Sequence, residues 1–174
     1  MPNPKYFQNF PTYTLVINGV ERLITDITYN IRFSEILIER GVPFYDYVIK
    51  DGERPDHVSF VNYGDSRFYW IVLLANDIRD VQREWPMTTE SLNRMVIEKY
   101  GSIAAAKELP LKYFNREDEI EIDFQTFLNL SQSLTRIEYA YDYETRINDE
   151  KRNIKLIQSR YISQAQTELK ELFS

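Results

Sequence analysis

Apolar and polar positions repeat along this chain with two periods, and the places where the period changes mark its elements. Tyr13-Thr14-Leu15-Val16-Ile17 and Val20-Glu21-Arg22-Leu23-Ile24 are β-prone runs on either side of Asn18-Gly19. A two-residue type I′ turn needs positive φ at both central positions, which Asn and Gly supply, so the stretch predicts a hairpin. Thr25-Asp26 is placed to cap a short helix. Residues 27–40 fit two readings: Ile27, Ile31 and Ile38 share a helical face, while the β-branched content suits a strand. Gly41-Val42-Pro43 closes that region.

Residues 44–87 form the densest pattern. A strand is predicted over 44–50 and turns at Asp51-Gly52. Pro55 suits the first position of a helix, where its missing N–H costs nothing. Val58, Phe60 and Val61 supply that helix's apolar contacts, and Gly64 ends it. Asp65 or Ser66 caps a second helix, whose apolar face is Trp70, Ile71, Leu73 and Leu74 and which stops at Asn76-Asp77. Trp85-Pro86-Met87 then returns to the sheet or packs beneath it.

Beyond this stretch, Thr88-Thr89-Glu90-Ser91 opens a helix with Leu92, Met95, Val96 and Tyr100 at helical spacing, ended by Gly101. Residues 102–108 add one or two helical turns before Pro110. Glu119-Ile120-Glu121-Ile122-Asp123-Phe124 alternates strictly and predicts a half-exposed strand. No period is legible over 125–150; if that segment is extended, Tyr139, Tyr141 and Tyr143 share one face. Residues 153–157 read as a short strand. Ile162, Ala165, Leu169 and Leu172 form the stripe of a final helix over roughly 159–173. That helix either covers its own core or joins a partner's bundle. The N-terminal segment around Tyr6, Phe7 and Phe10 carries Pro2, Pro4 and Pro11, which argues for an arm that docks rather than a regular element.

Composition narrows the function more than the fold. The chain is 43% hydrophobic, enough for a core, and its 13 Tyr, 10 Phe and 2 Trp exceed what a small core needs. Tyr and Trp combine large area with a polar tip and are favoured at protein interfaces. The arm residues Tyr6, Phe7 and Phe10 and the cluster Tyr139, Tyr141 and Tyr143 are therefore candidates for protein contact. Trp85 fits core and interface equally. A net charge of −6 disfavours nucleic acid, whose phosphates call for a basic surface. The absence of Cys and a single His57 remove thiol chemistry and the common zinc sites. His57 accompanies no nucleophile motif. Glu117, Asp118, Glu119 and Glu121 lack the spacing and glycine of a calcium loop and read as a solvated strand and turn. No apolar run reaches the length of a membrane span, and the first residues lack a signal-peptide core, so synthesis in a cytoplasm is expected. No catalytic residue, cofactor or metal is implied.

Two resemblances sharpen this reading. Tyr47-Val48-Ile49-Lys50-Asp51-Gly52, then Tyr63-Gly64-Asp65-Ser66-Arg67-Phe68-Tyr69-Trp70-Ile71, then Ala75-Asn76-Asp77-Ile78 resemble a LysM module. That family has a βααβ fold and binds N-acetylglucosamine polymers such as peptidoglycan. The groove positions of such a module correspond here to Gly52, Glu53, Arg54, Asn76, Asp77 and Ile78. Glu53-Arg54-Pro55 departs from the Gly-Asp-Thr-Leu pattern common in sugar-binding modules, and Pro55 removes a donor, which tells against sugar recognition.

A wider match includes Lys50-Asp51-Gly52-Glu53-Arg54-Pro55-Asp56, Tyr63-Gly64-Asp65, Trp70-Ile71-Val72-Leu73-Leu74-Ala75-Asn76-Asp77-Ile78 and Trp85-Pro86-Met87. The flanks Tyr6-Phe7-Gln8-Asn9-Phe10-Pro11, Thr25-Asp26-Ile27 and 148–157 agree with it. This ordered set resembles the baseplate wedge proteins of contractile-tailed phages of the gene-product fifty-three type. The resemblance implies a non-enzymatic structural role: clamping neighbouring wedge subunits around the central hub, in contact with a helical wedge bundle, as six-fold arranged copies. It places the chain in the virion tail baseplate, assembled in the host cytoplasm. The alternative is a LysM-type module binding peptidoglycan. The expected fold class is α+β: an N-terminal arm with a hairpin over 1–43, a LysM-like βααβ core over 44–88, and a helical and β C-terminal extension over 89–174 that ends in a strand plus helix.

Overall fold

A computed structural model describes residues 12–25 and 33–171. In chain order the elements are β1 (Thr12–Ile17), β2 (Val20–Thr25), α1 (Phe33–Glu39), β3 (Phe44–Val48), α2 (Pro55–Tyr63), α3 (Tyr69–Leu74), α4 (Val81–Glu84), α5 (Thr89–Tyr100), α6 (Ile103–Glu108), β4 (Pro110–Asn115), β5 (Glu121–Ile122), α7 (Phe124–Asn129), β6 (Thr135–Tyr139), α8 (Ala140–Glu150), β7 (Asn153–Ile157) and α9 (Ile162–Glu171). The fold is α+β with an N-terminal hairpin. It divides into two compact units, one formed by Met1–Trp85 with Asn153–Ser174, the other by Pro86–Arg152. The second unit is thus inserted into the sequence of the first.

In the first unit the hairpin forms as its turn chemistry dictates. Asn18 and Gly19 both take positive φ, 54° and 77°, and Ile17 pairs with Val20 across them. Farther on, β3 pairs antiparallel with β7, from Phe44↔Ile157 to Val48↔Asn153. Helices α2 and α3 follow β3 directly, so the order is strand, helix, helix, then the inserted unit, then strand. The return strand is β7; Trp85-Pro86-Met87 forms no strand. Pro55 starts α2, and Gly64 ends it in the left-handed region at φ 75°. The Asp65 carboxylate accepts from the Arg67 N–H and caps a 3-10 turn that leads into α3.

Two apolar clusters hold this unit. Leu37 and Val42 meet Trp70 and Ile71 of α3, Ile157 of β7, and the α9 stripe of Ile162, Ala165 and Leu169. The final helix therefore covers its own core, and Arg40 pairs with Glu168 at 3.4 Å along the α1–α9 contact. The other cluster gathers Ile49, Val58, Val72, Trp85, Ile154 and Leu156. Full burial of each large aliphatic side chain contributes about 2 kcal/mol. Of the segment with two readings, 33–39 is helix; 26–32, like the arm residues Tyr6, Phe7 and Phe10 and like Leu172, lie outside the described residues.

The second unit packs Leu92 and Val96 of α5 against Ala106 and Ala140, with Met87, Met95, Tyr100, Ile103 and Tyr141 around them. Its sheet has the order β5-β4-β6. The alternating run 119–124 is strand only at β5. Glu119 turns with φ 55°, and the Asp123 carboxylate accepts from Thr126 N–H, starting α7 instead. Local side-chain capping thus overrides the period-two pattern.

Candidate binding surfaces

The six groove positions sit in the first unit, and most are occupied by the fold itself. Gly52 makes the turn after β3 with φ 78°. The Glu53 carboxylate accepts from the Tyr47 hydroxyl at 3.0 and 3.1 Å and from the Lys50 N–H at 2.9 Å. Burial, followed by that hydrogen bond to Glu53, raises the Tyr47 hydroxyl above its ordinary value. The Glu53 carbonyl accepts from the indole N–H of Trp85 at 2.8 Å. Arg54 precedes α2 and is exposed, paired with Asp56 at 3.1 Å. Ile78 packs against the cluster that holds Ile49 and Trp85.

Asn76 is the most constrained of the set. Its Oδ1 accepts from the Lys155 N–H at 2.7 Å, and its Nδ2 donates to Lys155 O and to Val72 O, each at 2.8 Å. The carboxamide imitates one residue of a neighbouring strand beside β7. Both amide hydrogens are spent on the main chain, so neither is free to read a sugar hydroxyl. Asp77 follows with φ 54°, the positive-φ stop that Asn and Asp tolerate.

The aromatic candidates separate. Trp85 is 7% exposed and belongs to the core cluster. Tyr139 ends β6, and α8 begins at Ala140, so the segment is not extended through the three tyrosines. At 100° per residue, Tyr141 and Tyr143 point about 200° apart on α8. Tyr141 packs on the second unit's core and donates to Asn93 at 3.3 Å. Tyr143 lies beneath the cations of Lys112 and Arg146, at 5.6 and 5.4 Å.

Sequence reasoning missed two features. One is Asn148, 4% exposed, whose Oδ1 accepts from Met87 N–H at 2.7 Å and whose Nδ2 donates to Met87 O at 3.1 Å. This ties the start of the second unit to its end, and no local pattern announces it. The other is the exposure of the hairpin: every side chain over 12–23 is exposed, with Leu23 at 72% and Val16 at 61%. The signal was available, since both faces of the hairpin carry apolar residues.

The profile of a family described as "Base plate wedge protein 53" matches residues 9–120, well over half of the chain. The chain belongs to this family. Baseplate wedge protein gp53 of Enterobacteria phage T4 is 30% identical over 82 residues, covering 46% of this chain and 41% of that protein. The similarity thus spans less than half of the relative's length. In this base plate wedge protein, the matched span takes in the hairpin, β3, α2, α3 and Trp85, and ends ahead of Tyr139, Tyr141, Tyr143 and β7.

Proposed function

We propose that this chain is a structural, non-enzymatic component of a contractile-tail baseplate wedge, where it clamps neighbouring wedge subunits around the central hub as the tail assembles. The observation that carries the reading is the family match over 9–120. Two features support it. The groove positions Glu53 and Asn76 are committed to the chain's own main chain and side chains, which suits a LysM-like core serving as a protein scaffold. A hairpin with apolar side chains in water suits a part that is covered on assembly. The partners are other wedge proteins and a helical wedge bundle, met by six-fold arranged copies in the tail baseplate, after assembly in the host cytoplasm. Several weak contacts on one body close such a ring through effective concentration rather than pairwise affinity.

Electron microscopy of tails assembled with and without the chain tests this. Density for one copy at each wedge junction, and separate wedges in its absence, are expected. Closed baseplates lacking the chain would refute the clamp. Saturable binding of the purified chain to peptidoglycan, lost on Asp77→Ala, would replace it with the sugar-binding reading.

A further inference from the structure

The hairpin's two edges differ in kind. The β2 edge carries Glu21 and Arg22, whereas β1 reads Thr-Tyr-Thr-Leu-Val-Ile, with no charge, glycine or proline. Natural edge strands are blunted by charges, prolines, bulges or covering elements. None of the first three occurs within β1, and the two-stranded sheet leaves its outer edge unpaired among the described residues. A lone two-stranded hairpin is marginal in water and needs a third strand or a packed face.

Register identifies which main-chain groups are open. Ile17 and Val20 close a two-residue turn, and such a closing pair exchanges N–H···O bonds. Alternation along an antiparallel ladder turns Tyr13, Leu15 and Ile17 inward. The N–H and C=O groups of Thr12, Thr14 and Val16 therefore point outward. Donors and acceptors alternating at the spacing of every second residue match an extended polypeptide. With no cation, β1 offers nothing to phosphate, and an open strand edge is not tolerated in lipid. On one face of the hairpin Tyr13, Leu15 and Ile17 of β1 lie together, opposite Ile24, Arg22 and Val20 of β2, so a strand added beside β1 is favoured when its alternate residues are apolar.

We propose that β1 is a docking edge for an uncharged, extended segment of another baseplate protein, which adds to the hairpin as a third strand. Strand addition draws affinity from main-chain bonds and specificity from alternate side chains. A second copy of this chain is disfavoured, because each copy carries −6. The inference rests on the baseplate reading above, which supplies the setting for that partner.

Hydrogen exchange on the full chain, free and within purified tails, tests it without any variant. Free, the amides of Thr12, Thr14 and Val16 should exchange near the rate of an unstructured chain. In tails that contain the chain, they should slow at least tenfold. Persisting fast exchange there would overturn the docking edge while leaving the wedge reading intact. Thr14→Pro removes one outward donor and should lower incorporation into tails at least tenfold, whereas Leu23→Pro, its register partner on the β2 edge, should incorporate normally. Equal loss from both would overturn the assignment to β1. A dimer in solution that Thr14→Pro dissociates would give the edge to a second copy instead. Tails lacking the wild-type chain would overturn the wedge reading, and this partner with it.

Discussion

Two asparagines do the work of missing strands, and their environments set how much each contributes. Asn148 is buried and satisfies both main-chain groups of Met87, while Asn76 serves Lys155 at an exposed strand. Removing a partner from a buried main-chain group costs more than from one that water can reach. Asn148→Ala should therefore lower stability by about 2–3 kcal/mol and Asn76→Ala by about 1–2 kcal/mol, read from urea midpoints; the reverse order would contradict the burial argument. A buried acid adds a pH-dependent contribution. Glu138 accepts from Arg146 at 2.7 and 3.2 Å, and those hydrogen bonds hold its carboxyl below the ordinary glutamate value despite burial. Because the folded value is depressed, the stabilisation is fully present above the ordinary range near ~4.3 and is lost as pH falls through the depressed value. Glu138→Gln should cost about 2 kcal/mol at neutral pH, and its deficit relative to wild type should shrink steadily below pH ~4. A deficit unchanged by acid would assign the loss to packing.

Elements with local punctuation were legible before the structure. Asn18-Gly19 set the hairpin, Pro55 and Gly64 bounded α2, and Thr88 capped α5 with Gly101 at its end. The helix α8 was not legible, because Tyr141, Thr145 and Asn148 face inward where an apolar stripe was sought, and its one fully buried hydrophobic residue is Ala140. Pairing of β3 with β7 was hidden as well: a strand's partner is set by tertiary packing, and here a whole inserted unit separates the two. Of the candidate site, the positions of Gly52, Glu53 and Asn76 at turns and stops were readable, but their internal bonding was not, since Lys155 and Trp85 lie far away in sequence. Gly64 offers a clean check at this scale. No atom lies within 4 Å of a Cβ placed there, so a substitution meets only the backbone strain of φ 75°. Gly64→Ala should cost about 1 kcal/mol, and Gly64→Asn less, because Asn tolerates the left-handed region; equal losses would place the cost elsewhere.

At the scale of the whole chain, the arrangement of cores matters more than any one contact. The first unit closes only when β7 and α9, after Arg152, join the segment ending at Trp85, while the second unit has its own cluster around Leu92, Val96, Ala106 and Ala140. Separate clusters predict separate opening reactions, since cooperative units follow contiguous packing. Leu169 and Val96 are fully buried, one in each unit. Leu169→Ala should cost about 3 kcal/mol and Val96→Ala about 2 kcal/mol, through lost burial and the cavity left behind. Under native conditions, Leu169→Ala should speed hydrogen exchange in β3, α3, β7 and α9 while sparing α5 and α8. Val96→Ala should do the converse. If either substitution accelerates both sets equally, the chain opens as one cooperative body, and the insertion is separate in sequence but not in stability.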